Sequence, residues 1–254
     1  MSTVVISVTN QKGGVGKTTS SVNIAYYLAK AGKKTLLIDF DPQGNATSGL
    51  GIDKQTLRKT MTDVIKGDTP LKNIILPSVH KNLFLAPATP HLANAEVELS
   101  QAQGRFTRLK QAVEGLESYD YILIDSPPSL SLLTVNGLIA SNYVLLPVQA
   151  EFYALEGLGQ LLETMKIIRK GMNPTLELIG VLPTMMDGRT TLSGQVHEEI
   201  KKYFPGKVFD NPIPRNIRLA EAPSHGLPVG MYDRFSKGAR AYKAVTKEVL
   251  DRVG

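Results

Sequence analysis

Cysteine is absent from the 254 residues, so no disulfide can staple this chain and no thiolate can hold an iron–sulfur cluster, which excludes electron transfer of that kind. Long apolar runs are missing as well. None reaches the roughly 18 residues that a membrane-crossing helix needs, and no charged lead with an apolar secretory segment opens the chain, so a cytoplasmic protein is expected. Histidine is scarce, and His80, His91, His197 and His225 have no metal-ligand spacing, which leaves them to packing or surface roles. The guanine-reading pattern N-K-x-D occurs nowhere, so a purine nucleotide site is expected to take adenine. A composition of 42% hydrophobic and 20% charged residues fits one α/β domain over residues 1–254, with little room for a second.

What the chain does have begins at once. Lys12-Gly13-Gly14-Val15-Gly16-Lys17-Thr18-Thr19 follows the apolar run Val4 to Val8 and precedes a helix-like segment over residues 18–31. A strand, a glycine-rich turn and a helix start make a phosphate cradle: glycines let backbone N–H groups turn inward, and the helix N-terminus adds partial positive charge. Lys17 would reach the outer phosphates and the Thr18 hydroxyl would join a magnesium shell. The usual loop, G-x-x-x-x-G-K-[ST], asks for glycine where Gln11 stands, and a second lysine, Lys12, occupies the entrance.

Two further acidic segments follow strand-like runs. Thr35 to Asp39 leads into Asp39-Phe40-Asp41-Pro42-Gln43-Gly44-Asn45, and Asp120 to Asp125 leads into Ser126-Pro127-Pro128. In open α/β sheets ligands collect at the carboxyl ends of strands, which is where Asp41 and Asp125 fall. Asp125 is expected to hold magnesium through water. No glutamate follows it, so the activating base must come from elsewhere, and Asp41 is the candidate. Runs over residues 82–87, 143–148 and 176–182 read as strands, and 93–116, 132–140 and 155–170 as helices. Val97, Leu99, Phe106, Leu109 and Val113 are the core-facing residues expected of the first of these helices. Alternating strands and helices imply a doubly wound, mostly parallel sheet flanked by helices.

K-G-G-V-G-K-T-T and D-F-D-P-Q-G-N resemble the signatures of the deviant Walker A ATPases, the group of the ParA/Soj partition proteins, the MinD division-site proteins and the nitrogenase-reductase-like proteins. The resemblance implies that Lys12 touches the nucleotide of a second protomer, making ATP and Mg2+ part of a homodimer interface, and that Asp41 positions the attacking water. Pro212-Ile213-Pro214-Arg215-Asn216 is similar to the family segment that lines adenine, which would make Pro214 and Asn216 base contacts. Arg218 to Gly226 resembles a stretch of the chromosomal partition ATPases, so the likeness runs from Val5 to about Ala241. It implies non-specific binding to double-stranded DNA, association with the nucleoid and a ParB/Spo0J-type centromere-binding partner that accelerates hydrolysis. No helix-turn-helix precedes the first strand, so sequence-specific reading of an operator is not expected.

Charge is unevenly distributed. Residues 1–200 carry 18 basic and 18 acidic side chains, whereas residues 201–254 carry eleven basic against five acidic, so the whole excess of +6 lies there. On a helical wheel Arg240, Lys243 and Lys247 share an arc of about 60°, nearly opposite Tyr242, Val245 and Val249. By resemblance Arg189 and Arg218 are the first DNA candidates, and charge adds Arg215, Lys237 and Arg240. A MinD-like membrane helix is disfavoured, because the end of the chain has few bulky apolar residues and two acids. A metabolic enzyme built on the same cradle is the remaining alternative, with no segment that suggests its substrate pocket.

Overall fold

The computed structural model describes residues 3–151 and 158–254. Seven strands form one sheet: β1 (Val4–Val8), β2 (Thr35–Asp39), β3 (Leu76–Pro77), β4 (Leu83–Ala86), β5 (Tyr121–Asp125), β6 (Tyr143–Gln149) and β7 (Glu177–Thr184), in the order β3-β4-β2-β5-β1-β6-β7. All neighbours are parallel except β3 against β4. β2 and β5 are buried along their full length, which explains their unbroken apolar character, since helices cover both faces of a parallel sheet. The two-residue β3 carries Pro77 and sits at the edge, where a missing backbone N–H does no harm.

Helices α1 (Lys17–Lys30), α2 (Asn45–Gly49), α3 (Met61–Lys66), α4 (His91–Leu99), α5 (Arg108–Val113), α6 (Leu132–Ala140), α7 (Leu158–Gly171), α8 (Thr191–Tyr203), α9 (Ile217–Glu221), α10 (Val229–Tyr232) and α11 (Lys237–Val253) flank the sheet. α1 and α11 pack together on one face, where the buried Tyr242 hydroxyl lies 3.0 Å from Ser20 Oγ. The opposite face is covered by α3 to α6. The start expected for α7, at Leu155, lies outside the described residues. Among the described residues no helix is long and apolar enough to cross a membrane.

The single helix expected over residues 93–116 is instead two short ones. Gly104 turns left-handed (φ 70), and Asn136 of α6 enters the break, donating to Arg105 O at 2.8 Å and accepting from Leu109 N at 3.2 Å. That side chain satisfies backbone groups that a continuous helix would have paired internally. Leu99 and Leu109 are buried as expected and Val113 is partly buried, but Val97 (72% exposed) and Phe106 (36%) face away from the core.

Candidate active site

The carboxyl ends of β1, β2 and β5 are brought together by their register, which sets Asp39 beside Asp125 and Asp125 beside Val8. From Val8 the chain passes to Asn10, whose amide pins the loop entrance by donating to Pro147 O (2.8 Å) and accepting from Lys12 N (3.0 Å). Gly14 (φ 77) and Gly16 (φ 88) hold the left-handed conformations that turn the loop. Thr184 at the end of β7 braces it from behind, its hydroxyl donating to Val15 O at 2.8 Å.

Lys17 is buried and lies within the cradle, with Nζ donating to Lys12 O at 3.0 Å. Burial lowers its pKa, opposed by the nearby charges of Asp125 and Asp41. Lys12 is placed differently. Its carbonyl belongs to the cradle, but its ammonium sits at the rim, 3.5 Å from Glu151 Oε2, with the side chain 39% exposed.

The acids are not equivalent. Asp39 accepts from Thr47 N (2.7 Å), Thr47 Oγ1 (2.6 Å) and Asp41 N (3.3 Å). Asp125 accepts from Ser21 Oγ at 3.0 Å through Oδ1, while its Oδ2 is buried without a partner, and the Thr18 hydroxyl lies close enough to favour its charged form. Burial raises both carboxyls, and for Asp125 the charge of Asp39 adds to it. Three donors to Asp39 oppose that rise and favour its charged form, whereas Asp125 has fewer partners to offset its burial. Asp41 is buried just beyond, its Oδ1 accepting from Gln43 N at 2.9 Å.

Beside the loop lies a largely apolar cavity of about 480 Å³, lined by Gly16, Thr19, Ile213, Pro214, Asn216 and Tyr242 among others. Asn216 Oδ1 is buried there with no partner, and the residue caps α9 only through its backbone. An apolar slot with one orphaned amide oxygen fits a purine that carries an amino group. The orphaned Asp125 oxygen near the Thr18 hydroxyl fits a hydrated divalent cation, and the loop fits the phosphates between.

Sequence reasoning did not single out Asn10, Ser21, Thr47, Glu151 or Thr184. Ser21 had a signal, because it follows Lys17 by one helical turn and therefore shares its face. Thr184 and Glu151 had none. The basic candidates group around the end of β7. Arg189 (side chain 88% exposed) is clamped by Asp187 at 2.8 Å, Arg215 lies on a segment whose N–H bonds Met186 O at 3.0 Å, and Arg218 pairs with Glu221 (2.8 Å) and Asp233 (3.4 Å). Lys237 and Arg240 are exposed on the first turns of α11, where Gly238 packs against Leu219 and Asn216.

A parallel sheet with a glycine-lysine loop between β1 and α1 and acids on the neighbouring strand ends defines a phosphate-loop nucleotide hydrolase. Consistent with that class, a family model described as an AAA domain matches residues 3–178. The chain is 54% identical over 246 residues to sporulation initiation inhibitor protein Soj of Bacillus subtilis, covering 96% of this chain and 97% of that one. It is 47% identical over 249 residues to chromosome partitioning protein ParA of Myxococcus xanthus, covering 98% and 88%. Among solved structures, cobyrinic acid a,c-diamide synthase from Mycobacterium smegmatis with bound ADP and magnesium superimposes with a TM-score of 0.86 at 37% identity, covering 98% and 94%. An ATP complex of McdA from Cyanothece gives 0.88 at 25% identity, covering 98% and 96%. The chain belongs to the Soj/ParA family of chromosome-partitioning ATPases.

Proposed function

We propose that this ATPase is a single-domain DNA-partitioning switch whose ATP-bound homodimer holds DNA without sequence preference and lets go on hydrolysis. The observation that carries the reading is the division of labour between two lysines. Lys17 is committed inside its own cradle, while the Lys12 ammonium stands at the rim, where among the described residues its one ionic partner is the exposed Glu151, a position open to a second copy. Joining two weakly basic surfaces raises effective concentration, so dimerisation turns DNA binding on.

In this reading the N–H groups of residues 13 to 19 hold the phosphates and Lys17 neutralises charge that develops during transfer. Thr18 and Asp125, the latter through water, hold the magnesium, which supplies charge compensation on the phosphate oxygens when bound. Asp41 orients water and accepts its proton, a role supported by its burial at the end of β2, close enough to Lys17 to shift its pKa. Pro214 and Asn216 flank the adenine. Arg189, Arg218, Arg215, Lys237 and Arg240 face DNA, a ParB-type centromere-binding protein stimulates hydrolysis, and the loaded protein resides on the nucleoid within the cytoplasm.

Sedimentation with ATP, ADP or no nucleotide, with and without random-sequence DNA at two salt concentrations, tests the scheme. ATP-dependent pelleting with DNA that fades with salt is the expected result, and Asp41→Ala should dimerise, hydrolyse little and stay bound. A loaded protein that remains monomeric overturns it. The likeness to a structure named as an amide synthase favours one second reading, a ligase that activates a carboxylate. That reading requires ATP turnover to depend on a small carboxylic acid and an amine donor and to ignore DNA.

A further inference from the structure

A single exposed apolar side chain is ordinary, but Phe235, at 73% the most exposed large one among the described residues, stands in a setting that gives it a use. It lies in the turn between α10 and α11, and that turn is fastened. Phe235 N donates to Asp233 Oδ1 (3.1 Å), Ser236 Oγ donates to Asp233 O (2.9 Å), and the same hydroxyl caps α11 by accepting from Ala239 N (3.1 Å). Arg218 holds Asp233 from α9 at 3.4 Å. The ring is therefore displayed on a rigid mount.

Its surroundings are cationic. The Arg234 guanidinium lies 4.6 Å from the ring centroid, and Lys237 and Arg240 follow on exposed positions of α11. The acids on this side are already engaged: Asp233 and Glu221 both pair with Arg218. Two further exposed apolar residues are Met231 (43%) in α10, which leads into the turn, and Ile217 (70%) in α9, whose Arg218 holds Asp233. An aromatic tip set among unpaired cations matches a polyanion that also offers apolar surface, which describes the grooves of a DNA duplex. A lipid surface fits less well, because α11 keeps Tyr242, Val245 and Val249 in the core and so has no apolar face to lay into a bilayer.

We propose that Phe235 is an apolar DNA contact, its ring packing against sugars and base edges in a groove while Arg234, Lys237 and Arg240 hold the flanking phosphates. This rests on the DNA-partitioning reading and adds to it a contact that charge counting misses. Because the ring carries no charge, its contribution does not depend on released counterions. Phe235 and its basic neighbours therefore differ in a measurable way.

The experiment is a salt titration of ATP-dependent binding to random-sequence duplex DNA, with ATP affinity and thermal melting recorded on each variant to verify folding. Phe235→Ala should weaken DNA binding about tenfold at every salt concentration and leave the slope of log affinity against log salt unchanged, with Phe235→Tyr restoring most of the loss. Lys237→Ala should lower that slope by about one. Phe235→Ala binding within twofold of the parent protein overturns the inference and leaves the partition reading intact. A parent protein that ignores DNA at low salt with ATP overturns both. Phe235-dependent binding to phosphatidylglycerol vesicles, with DNA affinity unmoved, overturns the inference in favour of a membrane contact.

Discussion

The acid-lined end of the sheet and the basic surface around α9 and α11 use charge in opposite ways. At the sheet end the charged groups are buried, few and rigidly oriented, and one carboxylate oxygen of Asp125 is left without any partner. Around α9 and α11 they are exposed, and Arg218 is paired with acids, Glu221 and Asp233, that are themselves partly open to solvent. Buried charge is strong because water is excluded, and for the same reason it destabilises the empty protein. Exposed charge stabilises little, so those positions are free to serve a partner.

The largest effect should come from the buried end. Lys17→Ala is expected to reduce ATP turnover by about a hundredfold or more, because no other cation occupies the cradle's interior among the described residues. Steady-state phosphate release measures it. A tenfold loss or less would mean that Lys12 of the same chain can replace it, which would erase the proposed distinction between the two lysines.

Next comes a residue that belongs to the basic region by sequence and to the core by function. Arg252 donates to Ile179 O (2.9 Å), Lys207 O (3.2 Å), Val208 O (2.7 Å) and Glu248 (2.7 Å), with its guanidinium 4.2 Å from the Phe209 ring. Arg252→Ala should therefore cost about 2 kcal/mol of stability in denaturant titration, whereas exposed Lys243→Ala should stay within about 0.5 kcal/mol. Equal losses would show that the contrast between the two kinds of cation is false.

The smallest effect runs the other way. Asp39 and Asp125 both have folded-state pKa values above their unfolded ones, so they destabilise only where the unfolded chain would be ionised. The nucleotide-free protein should lose stability as pH rises above the ordinary carboxylate range near 4. Asp125→Asn should flatten that dependence and raise stability by about 1 kcal/mol at neutral pH, while weakening magnesium-dependent ATP binding. Thermal melts across pH read the first effect, and nucleotide titration with and without magnesium reads the second.

Much of this was legible in the residues, for reasons that differ by element. β1, β2 and α6 have the expected limits, because polar residues bound or end their apolar runs: Thr3 and Thr9, Lys34 and Asp39, and Ser131 and Ser141. The segment 93–116 was misread because apolar spacing cannot reveal that Asn136, distant in sequence, would enter and satisfy a break at Arg105 and Leu109. Short β3 was invisible because two residues carry no period.

By itself the sequence determined the alternation of the longer strands with helices such as α1 and α6, the glycine-lysine loop and the acids that end β2 and β5, since each depends on local chemistry within a few residues. Only the tertiary structure decided that Asp39 and Asp125 lie side by side and raise each other's cost of ionisation, that Thr184 braces the loop, that Asn216 lines an apolar slot with its side-chain oxygen left unpaired, and that Arg252 is an internal clasp. Those outcomes depend on burial and on contacts between distant segments, and neither exists until the sheet has assembled.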